Sequence, residues 1–394
     1  MKQNILNRSF LLVFLCILIG CSDWTEIESE NKTDLNTTIK TDEYYAALRE
    51  WKNTPGLPQV FVWFDNWNGV SPTGENSLRG LPDSITIASN WGGHPKFDLS
   101  PERKADMEYV QKVKGTKVVV TLFSAKVGDD MPEDPIYDIG NSSDEEIVRP
   151  AIRKYVEAIY DAVIEAGYDG FDWDYEPAGG GGTGNYLWTN KVQRRIFVEE
   201  LGYWFGKGSL RTDRGNRKPA KPGLLFIIDG EIGTRGRMDK DWESQYVDYY
   251  VLQAYSSPND YDRFIRINGV IYDMSEHIVA GRITAEEVVR RTILTENFEN
   301  NANTGGGFLG MSLFVYKQSR DSQIFGGYQG NDIDIEQQIG GCGLYRSGFD
   351  YKPKGKGDYD GSPEYYFLRK GISNLYRIYY ERLDPTAPDP EEQR

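Results

Sequence analysis

The chain has 394 residues, with 45 Lys and Arg against 60 Asp and Glu, for a formal net charge of −15. That length allows one large domain or two ordinary ones. The acidic balance argues against nucleic acid as a partner, because phosphates need clustered Lys and Arg.

At the N-terminus, Lys2 and Arg8 flank an apolar run from Phe10 to Ile19. The run is too short to cross a bilayer as a helix, and residues 1–20 have the layout of a secretory signal. Leu18-Ile19-Gly20-Cys21 resembles a bacterial lipobox, which implies cleavage before Cys21 and a lipid on its sulfur. Cys16 leaves with the signal and Cys342 then lacks a partner, so no internal disulfide is expected even in an oxidising compartment. The stretch "SDWTEIESENKTDLNTTIKTDE" is acidic and poor in apolar residues, so residues 21–56 read as a lipidated N-terminus and solvated tether. Acidic residues just after Cys21 also resemble surface-export signals of some Gram-negative lipoproteins. The expectation is a protein lipid-anchored to the outer membrane at the cell surface, touching the membrane through its lipid alone.

From residue 57 short β-rich runs alternate with helical stretches. Strands are expected at 59–65, 84–90, 117–124, 170–176, 224–229, 248–255, 291–298 and 341–348. Several are apolar nearly throughout, as strands covered on both faces must be. Eight strands with intervening helices predict a single-domain (β/α)8 TIM barrel over 57–382, with a doubly wound open sheet as the alternative. Residues 299–340 show no clear pattern. Before the fourth strand, Ser143 and Glu146 fit a capping box; Ile152, Tyr155, Val156, Ile159 and Val163 recur at helical spacing, and Gly167 ends the helix. Near the C-terminus Ser362 fits an N-cap and Pro363 the first helical position. Tyr366, Leu368, Ile372, Leu375, Tyr376 and Tyr379 then form the apolar stripe of a last outer helix. Residues 383–394 read as a disordered tail, and no internal repeat is present.

The fourth strand, in "GYDGFDWDYEP" (167–177), crowds Asp169, Asp172, Asp174 and Glu176 between Phe171, Trp173 and Tyr175. Side chains alternate along a strand, so Asp172, Asp174 and Glu176 share one face, with neighbouring Cα atoms about 6.5–7 Å apart. In a barrel the rings would pack on the outer helices and the acids would face the interior. Glu176 would then sit at the C-terminal mouth, where barrel enzymes keep their active sites. Like charges buried together cannot all stay ionised. Asp172 and Asp174 are expected to share a proton, and the outermost acid to stay protonated as a general acid must.

Other chemistries fit less well. An EF-hand counted from Asp172 meets Pro177 where it needs Gly and Thr183 where it needs Glu. A solvated strand face is at odds with the wholly aromatic opposite face. "DIDIE" (332–336) has the same acid spacing but reads as an acidic turn or helix start. "AGGGGTGNYLW" (178–188) lacks the Gly-Lys-Ser/Thr that closes a P-loop. His94 and His277, the two histidines, read as loop or surface residues, and serine or cysteine triads and multi-histidine metal sites are not expected. No metal and no cofactor is expected.

"DGFDWDYE" resembles the D-x-x-D-x-D-x-E signature of family 18 glycoside hydrolases, which include chitinases and endo-β-N-acetylglucosaminidases. The likeness extends over roughly residues 57–380 as strand pattern. It implies that Glu176 donates a proton to the glycosidic oxygen, that Asp174 orients the substrate's 2-acetamido group and that Asp172 is its inner partner. It further implies retaining hydrolysis without an enzymic nucleophile, the acetamido carbonyl itself attacking the anomeric carbon. "LQAYSS" matches the end of the family's sixth strand, where Tyr255 would bind the acetamido oxygen. Gln253-Ala254-Tyr255, "GGCGLYRSG" with Tyr345, and "TENFENNANTGGG" resemble the endo-β-N-acetylglucosaminidases acting on N-glycans more than chitinases. One departure is Ser124-Ala125-Lys126-Val127, where the family usually has Ser-x-Gly-Gly on its third strand, so the floor of the sugar pocket is expected to differ. Gln253, Tyr345, Trp63, Trp67, Trp91, Tyr186 and Trp188 are the candidate sugar contacts. The expected activity is cleavage of the β-1,4 bond in the N,N′-diacetylchitobiose core of N-glycans. A chitinase and a non-catalytic glycan-binding lipoprotein on the same barrel are the alternatives.

Overall fold

The structure is a computed structural model that describes residues 40–92, 96–178, 184–233, 246–318, 335–352 and 364–383. Its strands are β1 (Gln59–Phe64), β2 (Ile87–Asn90), β3 (Lys117–Leu122), β4 (Gly170–Tyr175), β5 (Leu225–Gly230), β6 (Tyr249–Leu252), β7 (Thr292–Asn297), β8 (Val315–Gln318), β9 (Ile335–Gln338) and β10 (Gly341–Tyr345). All but β8 and β9 close into a barrel in the order β1-β10-β7-β6-β5-β4-β3-β2, and every pairing around it is parallel. The eight expected strands are these eight, each end lying within three residues of the expected one. The described helices of six residues or more are α1 (Asp42–Lys52), α2 (Pro101–Tyr109), α3 (Glu145–Ala166), α4 (Lys191–Leu201), α5 (Asp260–Asp273), α6 (Ala285–Arg290) and α7 (Tyr366–Leu383). None of the described helices is long and apolar enough to cross a membrane.

Strand alternation divides the apolar residues into two layers. Val60, Val62 and Phe64 of β1 and Phe171, Trp173 and Tyr175 of β4 join the helix residues Ile152, Tyr155, Ile159 and Val163 in the layer outside the barrel. There the Trp173 and Phe197 rings meet edge to face at 5.0 Å. The bore is filled by Phe61, Trp63, Ile87, Val119, Ile227, Val251 and Ile293. At the corresponding inward positions β4 offers Asp172 and Asp174, 0 and 5% exposed. Fully burying a ring such as Phe171 stabilises by about 1.5–3 kcal/mol, so the aromatic back of β4 offsets part of the cost of its acidic front.

One expectation at an element end is corrected. The N-cap of α3 is Asp144, whose carboxylate accepts from Glu146 N at 3.1 Å. Ser143 instead accepts from Asn190 Nδ2 at 3.0 Å. The other end is as expected: Gly167 takes φ 87°, a left-handed geometry that costs glycine little. Ser362 and Pro363 lie outside the described residues, while the stripe from Leu368 to Tyr376 of α7 is buried as expected.

The packed chain also starts before residue 57. Helix α1 turns Leu48 and Trp51 into the outer core, and Trp51 Nε1 donates to Tyr380 Oη at 2.7 Å. Lys52 Nζ donates to Ile85 O and Thr116 Oγ1 at the entry to β2 and β3. Tyr44, Leu48 and Trp51 are spaced as one helix face, a stripe masked by the polar residues around it. Between β7 and β10, β8 and β9 form a separate antiparallel pair. Ile335 and Glu336 of "DIDIE" therefore belong to a strand rather than a turn or helix start, with Glu336 paired to Lys317 and Arg382. Residues 332–334 lie outside the described set, as do the signal, Cys21, His94 and the tail from 384.

Candidate active site

The inward row of β4 ends at the C-terminal mouth of the barrel. Asp172 is the deepest member: its Oδ2 accepts from Thr121 Oγ1 of β3 at 2.6 Å. The Thr121 hydroxyl thereby spends its hydrogen, so Ser89 Oγ of β2, 2.5 Å away, donates in turn. Two neighbouring strands thus feed the carboxylate of a third. Burial pushes Asp172 up to about 6, opposed by Thr121, by Asp229, by the Trp63 indole facing it and by the Lys96 charge.

Asp174 lies one step outward and is held well above the usual carboxylate range, by burial first and then by the Glu176 and Asp172 charges. Glu176, half-buried, has its Oε1 2.7 Å from Gln253 Nε2. The same nitrogen is 3.3 Å from Asp174 Oδ1 and from Asp229 Oδ1. An amide has two N–H hydrogens for these three oxygens, and the Glu176 contact is the shortest. Gln253 is therefore the clasp of the acid group. It lies beyond β6, where the Gln253 N–H still donates to Gly230 O of β5 at 3.1 Å and the chain then turns tightly through Ala254 N to Leu252 O at 2.7 Å.

That turn brings Tyr255 to the acids. Its hydroxyl is pushed well above its ordinary value by burial and by the charges of Asp229, Asp174 and Glu176, so it stays an O–H donor. The Tyr255 ring lies 5.8 Å from Tyr345, which ends β10. Tyr345 in turn meets Trp91 edge-on at 4.9 Å and Trp63 at 6.1 Å. Four rings contributed by four strand ends thus flank one side of the carboxyl group. Lys96 reaches in from the segment after β2 and donates to Thr121 O at 2.9 Å, with the Asp172 and Asp174 charges partly countering the burial that lowers its pKa.

Glu176, Asp174, Asp172, Gln253, Tyr255, Tyr345, Trp63 and Trp91 therefore come together. Trp67 does not: it is 2% exposed in the outer core, with Nε1 donating to Asp106 Oδ2 at 2.8 Å. Its neighbour Asn66 takes φ 55°, which breaks the strand alternation that would have turned Trp67 inward. Trp188 is 1% exposed and packs against Phe123 at 4.4 Å, outside the barrel. Tyr186 opens the short helix Tyr186–Thr189 and has no hydrogen bond or ring contact with the acid group among the described residues. His277 is buried rather than on the surface, its Nδ1 3.1 Å from Arg282 Nη1. Among the described residues no group of three or more His, Cys, Asp or Glu is arranged to hold a metal ion.

Where Ser-x-Gly-Gly is missing, the chain uses other means. Ser124 takes φ 34° at the exit of β3 and accepts from Tyr155 Oη at 2.9 Å. Asp129 Oδ2 holds the backbone N–H groups of Ala125 and Lys126, each at 2.9 Å.

The sequence reading missed Asp229, Lys96 and Glu296. Asp229 ends an apolar run that was correctly read as a strand, and its place at a strand's C-terminal end was the available signal. Glu296, at the end of β7 and 0% exposed, accepts from Ser256 N, Asn297 N, Asn301 Nδ2 and Gly307 N. It pins the chain just after Tyr255.

A family model described as glycoside hydrolase family 18, BT1044-like, matches residues 25–373. No curated protein matches the chain. Among solved structures, a Glu-to-Gln variant of selenomethionine BT1044 has a TM-score of 0.62 at 24% identity, covering 90% of this chain and 98% of that one. The apo endo-β-N-acetylglucosaminidase of Cordyceps militaris has a TM-score of 0.50 at 16% identity, covering 86% and 97%. An Asp-to-Asn, Glu-to-Gln mutant of the Cordyceps militaris enzyme, in complex with fucosyl-N-acetylglucosamine-Asn, scores 0.51 at 15% identity with the same coverage. At such identities these structures share the barrel with this chain.

Proposed function

Since the chain belongs to glycoside hydrolase family 18, we propose that it is an endo-β-N-acetylglucosaminidase cleaving the β-1,4 bond within the N,N′-diacetylchitobiose core of N-glycans. The observation that carries this reading is the Gln253 amide joining Glu176 to Asp174 beside Tyr255. A proton donor, an acceptor for an acetamido N–H and a donor for its carbonyl oxygen meet at one mouth.

In the proposed reaction Glu176 gives its proton to the glycosidic oxygen as the C1–O bond breaks. The acetamido carbonyl oxygen bonds to C1 from the opposite face, forming an oxazolinium ion. Asp174 accepts from the acetamido N–H, concentrating electron density on the carbonyl oxygen, and Tyr255 holds that oxygen in line. Ionised Glu176 then takes a proton from water as the water attacks C1, which returns Glu176 to its acid form and retains the anomeric configuration. The Trp63, Trp91 and Tyr345 rings offer apolar surface for the sugar faces.

The test is mass spectrometry of an N-glycosylated protein and of chitin oligomers after incubation with the enzyme. The expected result is glycoprotein left with one N-acetylglucosamine on each asparagine. Cleavage of chitin oligomers alone assigns a chitinase, and tight glycan binding without turnover assigns a binding protein.

Lipid attachment belongs to the same proposal and rests on the Leu18–Cys21 motif. Expressed in a Gram-negative host, the full chain should sediment with outer membranes and take up labelled fatty acid. Cys21→Ser should move it to the soluble fraction, and a variant that still sediments with label argues against the anchor.

A further inference from the structure

Asp229 is the penultimate residue of β5, and its Cα partner across the ladder is Asp174. It is 1% exposed, so three carboxyls from two strands share one dry pocket with no bulk water to screen them. Asp229 Oδ1 lies 3.3 Å from the Gln253 amide. Among the described residues its Oδ2 is buried without a donor, and so is Asp172 Oδ1. Two buried acceptors in adjacent carboxyls, each lacking a hydrogen, are both satisfied by a single proton held between them.

We propose that Asp229 is a positioning residue: a neutral carboxyl on β5 that donates a hydrogen bond to Asp172, letting the Asp172–Asp174 pair carry negative charge beside the acetamido N–H. The role rests on the hydrolase reading of the site. Asp229 keeps its proton through the cycle, so no transfer step passes through it. The groups around it agree on where the proton sits. Asp172, Asp174 and Glu176 face it from β4 and the turn beyond, Gln253 and Tyr255 from the end of β6, and Glu231 follows on its own chain. The charges of Asp172 and Asp174 also act on Lys96. Burial and the charges of Asp172 and Asp174 hold Asp229 well above the usual carboxylate range. The hydrogen bond between Asp229 and Asp172 raises the former and lowers the latter, which puts the proton on Asp229.

Two measurements test this, the first without any substrate. A carboxyl whose folded pKa is raised contributes stability that is fully present below its unfolded value of about 4 and is lost as pH rises toward the folded value. Asp229→Asn keeps a neutral donor and removes that loss. The Tm of Asp229→Asn should therefore gain on the wild type steadily as pH rises above about 4. A Tm difference that does not change with pH overturns the proposal.

The second measurement is the pH–rate profile on whichever N-acetylglucosaminide the wild type hydrolyses. Asp229→Ala, which orphans Asp172, should lose about tenfold or more in kcat. Asp229→Asn should recover most of that loss at every pH where the wild type is active. An Asn variant as poor as Ala overturns it. If the wild type hydrolyses no such substrate, the functional reading fails while the Tm series still decides the state of Asp229.

Discussion

Glu176→Gln should lower kcat on a glycoprotein substrate by about 10²–10⁴-fold, the usual worth of a positioned general acid. That corresponds to about 3–5 kcal/mol of transition-state stabilisation. The fold should survive. Glu176 is half-buried, its short contact among the described residues is to Gln253 Nε2, and a glutamine of the same shape can present its carbonyl oxygen to that amide. What glutamine cannot do is deliver a proton to a leaving sugar oxygen. The deficit should therefore shrink on an aryl glycoside, whose phenolate leaves with little protonation. Asp174→Asn should instead impair both substrates alike, because orienting the acetamido group precedes departure of either leaving group. A Glu176→Gln enzyme as active as wild type on glycoprotein would remove Glu176 from the chemistry.

Much of this architecture was legible in the sequence, for a physical reason. A barrel strand is covered on both faces, so its residues form near-continuous apolar runs, and all eight runs were visible. On β4 the two-residue alternation alone separates Asp172 and Asp174 from Phe171, Trp173 and Tyr175. The same periodicity fails one residue past a strand. Trp63 lies within β1 and faces the bore beside Phe61 at 4.7 Å. Trp67 follows the left-handed Asn66 and turns into the outer layer. Trp188 lies on a helix, where strand parity says nothing.

Contacts made only by register were illegible. Asp229 is a lone acid after five apolar residues, Leu224 to Ile228. It meets Asp174 because β4 and β5 pair Gly170 with Leu225 and hold that register for six residues. Helix α1 was hidden differently, its stripe of Tyr44, Leu48 and Trp51 lying among charged residues that suit a solvated tether as well as a helix with one buried face.

Glu296→Ala should show how strongly the site depends on a residue that touches no substrate. Its carboxylate accepts from Ser256 N at 2.9 Å, Asn297 N at 2.8 Å, Asn301 Nδ2 at 3.2 Å and Gly307 N at 2.7 Å. Space for a side chain is absent around it, since a Cβ on Gly306 would lie 2.7 Å from Glu296 Oε2. Alanine would strand several buried donors at about 1–3 kcal/mol each. Water entering the vacated space would recover part of this, leaving a loss of about 3–5 kcal/mol. For a domain of this size, with an unfolding entropy of about 2.1 cal/mol/K per residue, the Tm should fall by roughly 4–7 °C. Ser256 holds φ 58°, a left-handed geometry costly for serine, and its bond to Glu296 is what fixes it there. Freed, the turn relaxes and carries Tyr255 with it. The kcat of Glu296→Ala should drop below the temperature at which it unfolds. Adding Tyr255→Phe should then cost far less than it does in the wild type, because the two changes remove one function. A Glu296→Ala protein with wild-type Tm, or a fully additive double mutant, would show that the position of Tyr255 is set elsewhere.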